Sequence, residues 1–140
     1  MTNKARKLWS TFMPRKNEIE NPLNSSFLSI QVYPEGFDIT DFTPETEFTT
    51  RAGIEIKKVS AIPEGMELFI IPEGTYAVFE HRGSTKEFHK TASFIFEEWL
   101  PASDYDLDDR PHFELLDDRY LGPDHSDSIE DIYIPIIDKK

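Results

Sequence analysis

Two apolar stripes at helical spacing, each followed by segments of alternating polarity, constrain this chain more than any other feature. Phe88, Ala92, Ile95, Phe96 and Trp99 fall on one face of a helix, and Pro101 stands where it should stop. Ser84, with Glu87 three residues on, reads as a capping box at its start. Near the N-terminus, Ala5, Leu8, Trp9 and Phe12 form a second stripe that Pro14 closes.

Elsewhere the period is two. Leu28, Ile30 and Val32 point one way, and Ser29, Gln31 and Tyr33 the other. Phe48, Thr50, Ala52, Ile54 and Ile56 share a face opposite Thr49, Arg51, Glu55 and Lys57. Leu68–Ile71 is a short apolar run, after which Pro72-Glu73-Gly74 turns the chain into a strand at Thr75–His81. Phe113–Leu116 and Asp131–Ile137 complete the set, with Ile132, Ile134 and Ile136 on one face. Pro135 cannot donate to a ladder, so the last strand is expected to be an edge there or to carry a bulge.

This order predicts an α+β domain. Its halves echo each other, each with a helix ending near Trp and Pro, then a strand, a polar loop and a second alternating strand. The expectation is one domain over 1–140, built from duplicated strand–helix–strand–strand units. Residues 1–60 would be the first repeat, lacking its opening strand, and 61–140 the second. Side by side, the units give an antiparallel sheet with two helices on one face and a central cleft, placed on the opposite face between the halves.

Composition removes several functions. Fifteen Lys+Arg against twenty-seven Asp+Glu leave a net charge of −12, which repels phosphate backbones and argues against direct nucleic-acid binding. Residues 101–140 hold twelve acids and four bases. The absence of Cys removes disulfides, thiolate nucleophiles and Cys-based zinc sites, and fits a reducing cytosol. No stretch reaches the ~18–20 apolar residues of a spanning helix, and no signal-peptide pattern follows the basic N-terminus, so the expectation is a cytoplasmic protein away from membranes. His81, His89, His112 and His125 show no paired ligand spacing, and neither a metal nor a cofactor is expected.

Glu114 is the candidate site residue. It lies between Phe113 and Leu115 in a strand, so it faces away from both. If that face is the cleft, the carboxylate stands among rings such as Tyr33, Tyr76 and Tyr133, and either holds a proton or waits for a cation. Aromatic walls around one negative charge suit a lipophilic cation. The alternative is a strand glutamate facing water. Glu130 and Asp131 open the last strand, but no spacing rule brings a second carboxylate to Glu114. Trp9, Phe12, Phe96 and Trp99 read as helix–sheet packing, with a Trp near the end of each helix also available to line the cleft mouth.

The second half then matches a known pattern. The run Ile71-Pro72-Glu73-Gly74-Thr75-Tyr76-Ala77-Val78-Phe79-Glu80-His81-Arg82-Gly83 comes first, followed by Trp99-Leu100-Pro101 with Ser103 and Tyr105. Arg110-Pro111-His112-Phe113-Glu114 and Glu130-Asp131-Ile132-Tyr133-Ile134-Pro135-Ile136 complete it. In this order they resemble the GyrI-like effector-binding domain family, which includes ligand-binding domains of AraC-type and MerR-type bacterial regulators and stand-alone members. The resemblance spans roughly residues 60–137 well and the first half more loosely.

It implies a duplicated fold whose cleft binds small, often cationic and hydrophobic molecules. Glu114 falls at the glutamate that takes the ligand's charge in drug-sensing relatives, and Tyr76 and Trp99 fall where cleft residues occur. With Trp9, Tyr33 and Tyr133, these form the expected ligand-binding set. The reading is a stand-alone bacterial effector-binding protein related to transcription regulator ligand domains, with no catalytic residue assigned. Other branches imply two alternatives: an acidic protein-interaction module like a DNA gyrase inhibitor, binding a basic protein, or a hydrolase of strained rings acting through Glu114. The missing first strand suggests an open sheet edge that a second copy fills in a homodimer.

Overall fold

Alternating segments become one antiparallel sheet in the computed structural model, which describes residues 3–33 and 48–139. Its strands are β1 (Phe27–Val32), β2 (Thr49–Gly53), β3 (Thr75–Arg82), β4 (Tyr105–Leu107), β5 (His112–Leu116) and β6 (Ile129–Asp138). Their order is β2-β1-β5-β6-β3, with β4 paired to the end of β6. The polar loop expected after Tyr33 falls at 34–47, outside the described residues.

Two helical segments cover one face. α1 (Asn3–Phe12) carries the first apolar stripe and runs into a tight 3₁₀ segment at Met13–Glu18 that contains Pro14. The second rod joins α2 (Phe88–Ser93), a π-helical stretch at Phe94–Trp99 and α3 (Leu100–Ala102). Ile95, 1% exposed, packs from this rod onto Ile132, Ile134 and Ile136, so the apolar face of β6 is the core. Burying one such side chain is worth about 1.5–3 kcal/mol. On α1, the rings of Trp9 and Phe12 lie 6.2 and 6.4 Å from Phe27. Phe27 pairs with Leu116, and alternation puts both on the face of Ser29, Glu114 and Ile132. Both helices therefore share one face. They pack on the sheet toward its two sides rather than on each other.

Several local expectations change. Ser84 occupies the cap position ahead of a 3₁₀ turn at Thr85–Glu87, but its side chain makes no capping bond, and Glu87 is held instead by Lys90 at 2.8 Å. The rod continues past Pro101 to Ala102. Leu68–Ile71 joins no ladder. It belongs to a strap over the face of Leu28, Ile30 and Phe113, with Pro72 at one end and a turn closed by Met66 N–H to the Pro63 carbonyl (3.1 Å) at the other. Tyr105–Leu107, inside an Asp-rich stretch expected to be loop, is a strand because its Tyr and Leu pack on the core.

Pro135 resolves as an interruption rather than an edge. β6 pairs with β3 from Ile129 to Ile136, while its other side meets β5 and then β4. Between those two ladders the Pro135 carbonyl accepts the Asp108 N–H at 2.9 Å. The missing donor faces this same gap, where no ladder partner requires it.

Candidate functional site

Strand parity decides which side chains meet. On β5, His112 and Glu114 face the helices, while Phe113 and Leu115 face away. The cleft was expected opposite the helices; Glu114 instead stands on the helix-bearing face, on the β1–β5 floor between α1 and the second rod. Ser29 lies directly across from it on β1, and Ile132 on β6.

Glu130 is two residues from Ile132 and shares that face. A diagonal pair on adjacent strands lies within reach of long side chains, and the Glu114 and Glu130 carboxyls share a hydrogen bond. Burial drives both proton affinities above the usual carboxylate range, and the charge of Glu130 raises Glu114 further. The pair thus holds a proton that ordinary glutamates lose. Among the described residues no basic side chain offsets it.

The adjacent acid has the opposite fate. Asp131 points to the other face, where Arg119 reaches it at 2.7 Å and also binds Asp117 and Glu80 at 2.9 and 3.2 Å. His81, opposite Glu130 on β3, is fully engaged: Nδ1 accepts from the Thr91 hydroxyl at 2.6 Å and Nε2–H donates to the Ser84 carbonyl at 3.1 Å. That tautomer is assigned from its partners.

Rings and phenols surround the carboxyls. Tyr33 stacks edge-on to His112 at 5.0 Å, and Phe96 of the second rod lies 6.1 Å from the same imidazole. Burial, then the charge of Glu114, pushes the Tyr33 hydroxyl up to about 12. Tyr120 is likewise raised to about 12, by burial and then by Glu130 and Glu114. Its loop is pinned by Leu121 N–H to Ser128 Oγ (2.8 Å) and Ile129 N–H to the Arg119 carbonyl (3.0 Å). Burial lowers His112 to about 4, so it is neutral at physiological pH.

Of the residues named from sequence, Tyr33 lies where the charge of Glu114 acts on it, against His112, and Trp9 packs beside the same floor on Phe27. Trp99 lies under the second rod, 4.9 Å from Phe79 and stacked on Tyr105. Tyr76 and Tyr133 occupy the opposite face, where Phe113 stacks on Tyr133 at 4.5 Å and meets Tyr76 at 5.4 Å. Sequence reasoning missed Tyr120 and did not pair Glu130 with Glu114. Parity counted from Ile132 puts Glu130 on the core face, but only the β5–β6 register places it beside Glu114.

A cavity of about 840 Å³ lies under the strap, lined by Leu28, Ile30, Tyr76 and Phe113 of the sheet, by Phe69 of the strap and by Leu8 and Phe12 of α1. Two arginines line it: Arg51 sits over the Phe69 ring at 5.1 Å and pairs with Glu67 at 3.1 Å, and Arg15 pairs with Glu18 at 2.8 Å. Glu114 does not line it. Volume favours that cavity, whereas chemistry favours the surroundings of Glu114, where a buried carboxyl pair without a basic partner among the described residues is the more specific signal.

Among the described residues no helix is long and apolar enough to cross a membrane. The sequence matches the GyrI-like small molecule binding domain over residues 1–137. It is 32% identical over 130 residues to the transcriptional regulator BrlR of Pseudomonas aeruginosa, covering 92% of this chain and 45% of the regulator. It is also 36% identical over 99 residues to a DNA gyrase inhibitor of Erwinia billingiae, covering 66% of this chain and 61% of that protein. The chain thus spans less than two thirds of either relative.

Proposed function

Because the chain belongs to the GyrI-like small-molecule binding domain family, we propose that it is an effector-binding protein whose groove takes a small lipophilic cation, with Glu114 as charge partner. The observation that carries this reading is a carboxyl among rings, deprived of water and of any basic neighbour among the described residues. A cation with an apolar body relieves that desolvation, and Tyr33, Phe96 and the Trp9–Phe27 cluster supply ring surface for it. Relation to the ligand-binding part of a transcription regulator supports a sensing role in the bacterial cytoplasm rather than turnover.

The test is a titration of wild type and Glu114→Gln with a panel of lipophilic cationic dyes. Glu114→Gln should weaken binding by about 1.5–3 kcal/mol, the range for charge-assisted contacts. Equal affinity of both proteins for every dye would refute the assignment.

The duplication reading draws support from the strand order. β1 and β5 are central, β2 flanks β1 as β6 flanks β5, and β3 lies outside β6. The corresponding place outside β2 has no strand among the described residues, and a strand from a second copy would fill it. Sedimentation at low micromolar concentration should then show a dimer; a monomer there would end that idea.

A second reading rests on the gyrase-inhibitor relative and on the acids of 101–140: the surface binds a basic protein. Loss of such binding with added salt would support it.

A further inference from the structure

We propose that the groove selects guanidinium-bearing ligands over cations without N–H groups, because Glu130 stands beside Glu114 as a second acceptor for the same ligand. This deepens the cation-binding reading and rests on it.

The geometry points to two acceptors acting together. Glu114 faces Ile132 across the β5–β6 ladder, and Glu130 lies two residues along on the same face. Glu130 is 6% exposed and Glu114 half-buried, and both carboxyls are desolvated. When both carboxyls ionise, no basic side chain among the described residues donates to their lone pairs. Asp131 and Arg119 are on the other face, and His81 has spent both nitrogens.

A quaternary ammonium neutralises charge but fills no lone pair. A guanidinium presents several N–H groups in one plane and can bridge two carboxylates at once. The molecule already contains that arrangement: Arg119 Nε bonds Asp117 at 3.0 Å while its Nη2 bonds Asp131 at 2.7 Å. The same strand pair thus offers, on its helix-bearing face, two acids with the guanidinium missing. In the free protein the shared proton occupies the place of the bridging donor. Rings at Tyr33 and Phe96 accommodate a flat apolar body attached to the cation.

The experiment is titration calorimetry of the full chain with phenylguanidine, phenyltrimethylammonium and uncharged phenylurea, for wild type, Glu130→Gln and Glu114→Gln. Wild type should bind phenylguanidine at least about tenfold more tightly than phenyltrimethylammonium, the worth of one charge-assisted hydrogen bond. Glu130→Gln should lower phenylguanidine affinity by about tenfold and leave phenyltrimethylammonium within about twofold. Equal wild-type affinity for the two cations, or an equal loss of both in Glu130→Gln, overturns the inference while the cation site stands. If wild type binds neither cation, or only phenylurea, the cation reading falls and this inference with it. Should Glu130→Gln fail to fold, shown by its circular dichroism melt, the wild-type ratio alone decides.

Discussion

The carboxyl pair should make the protein's stability depend on pH in a direction opposite to that of most acidic residues. Glu130 binds its proton more tightly folded than unfolded, rising from the ordinary 4.5 to about 7 because burial penalises its charge. Between those values the folded state holds the extra proton, so unfolding free energy falls as pH rises. At about 1.4 kcal/mol for each pH unit, the loss is on the order of 3 kcal/mol. Glu114, raised in the same direction, extends the fall. His112 opposes it: held at about 4 against an ordinary 6.5, it stabilises the fold as pH rises through that window. Tyr33 and Tyr120, both near 12, stay neutral throughout.

The two slopes overlap, so wild type alone can look flat. The informative quantity is the wild-type minus Glu130→Gln difference in unfolding free energy, measured by urea titration from about pH 4.5 to 7.5 across the Glu130 window. That difference should fall by about 3 kcal/mol or more, or roughly 1.5 M in urea midpoint at a slope near 2 kcal/mol/M. In Glu130→Gln the fall that buried Glu114 still contributes is set against the rise from His112, so its own slope should be less negative than that of wild type. A constant difference across the range would refute the claim that Glu130 carries a buried, tightly held proton.

Two structural predictions follow from packing. Ile95→Ala removes a side chain that is 1% exposed at the centre of the core. It should cost about 2–5 kcal/mol in chemical denaturation; a loss below about 1 kcal/mol would mean that the rod does not pack on β6 as described. Gly74→Ala would drive its Cβ into the Arg110 guanidinium. That guanidinium bonds Asp108 at 2.6 Å, the Thr75 carbonyl at 2.7 Å and the Ile136 carbonyl at 3.2 Å, and lies 4.5 Å from the Tyr76 ring centre. Alanine there should lower stability by about 1–3 kcal/mol in thermal unfolding, and no change would show that Arg110 moves freely.

Local periodicity made the helices and most strands legible. Ile132, Ile134 and Ile136 declared the face of β6, and the stripe from Phe88 to Trp99 declared its partner. What sequence could not supply was pairing between distant segments. Phe113–Glu114–Leu115 shows that Glu114 points away from its neighbours, but only the register with Ile132 shows that this direction is toward the helices. Ring type alone groups Tyr76 and Tyr133 with Glu114; parity puts them on the far face. Leu68–Ile71 looks like a strand by composition, and it stays unpaired because strand formation depends on an available edge as much as on propensity. Tyr120 sits in an Asp-rich loop without periodicity, so only the bonds around Ser128 reveal where its ring goes.

The acidic composition itself divides into two electrostatic populations, and salt should separate them. Asp131 and Glu130 are neighbours in sequence, yet one is met by Arg119 near the surface and the other is buried with no cation beside it among the described residues. Screening acts on exposed charges beyond about 10 Å at 0.1 M salt and much less on buried pairs. Raising salt from about 0.05 to 0.5 M should therefore reduce cation binding in the groove less than about threefold. Binding of a basic polypeptide through the acids of 101–140 should fall by tenfold or more over the same range, since several exposed contacts are screened together. Fluorescence titration of a cationic dye and of polylysine at both salt concentrations distinguishes the two. Dye binding that weakens as steeply as polylysine binding would place the dye on the acidic exterior rather than at Glu114, and the groove would lose its claim to be the ligand site.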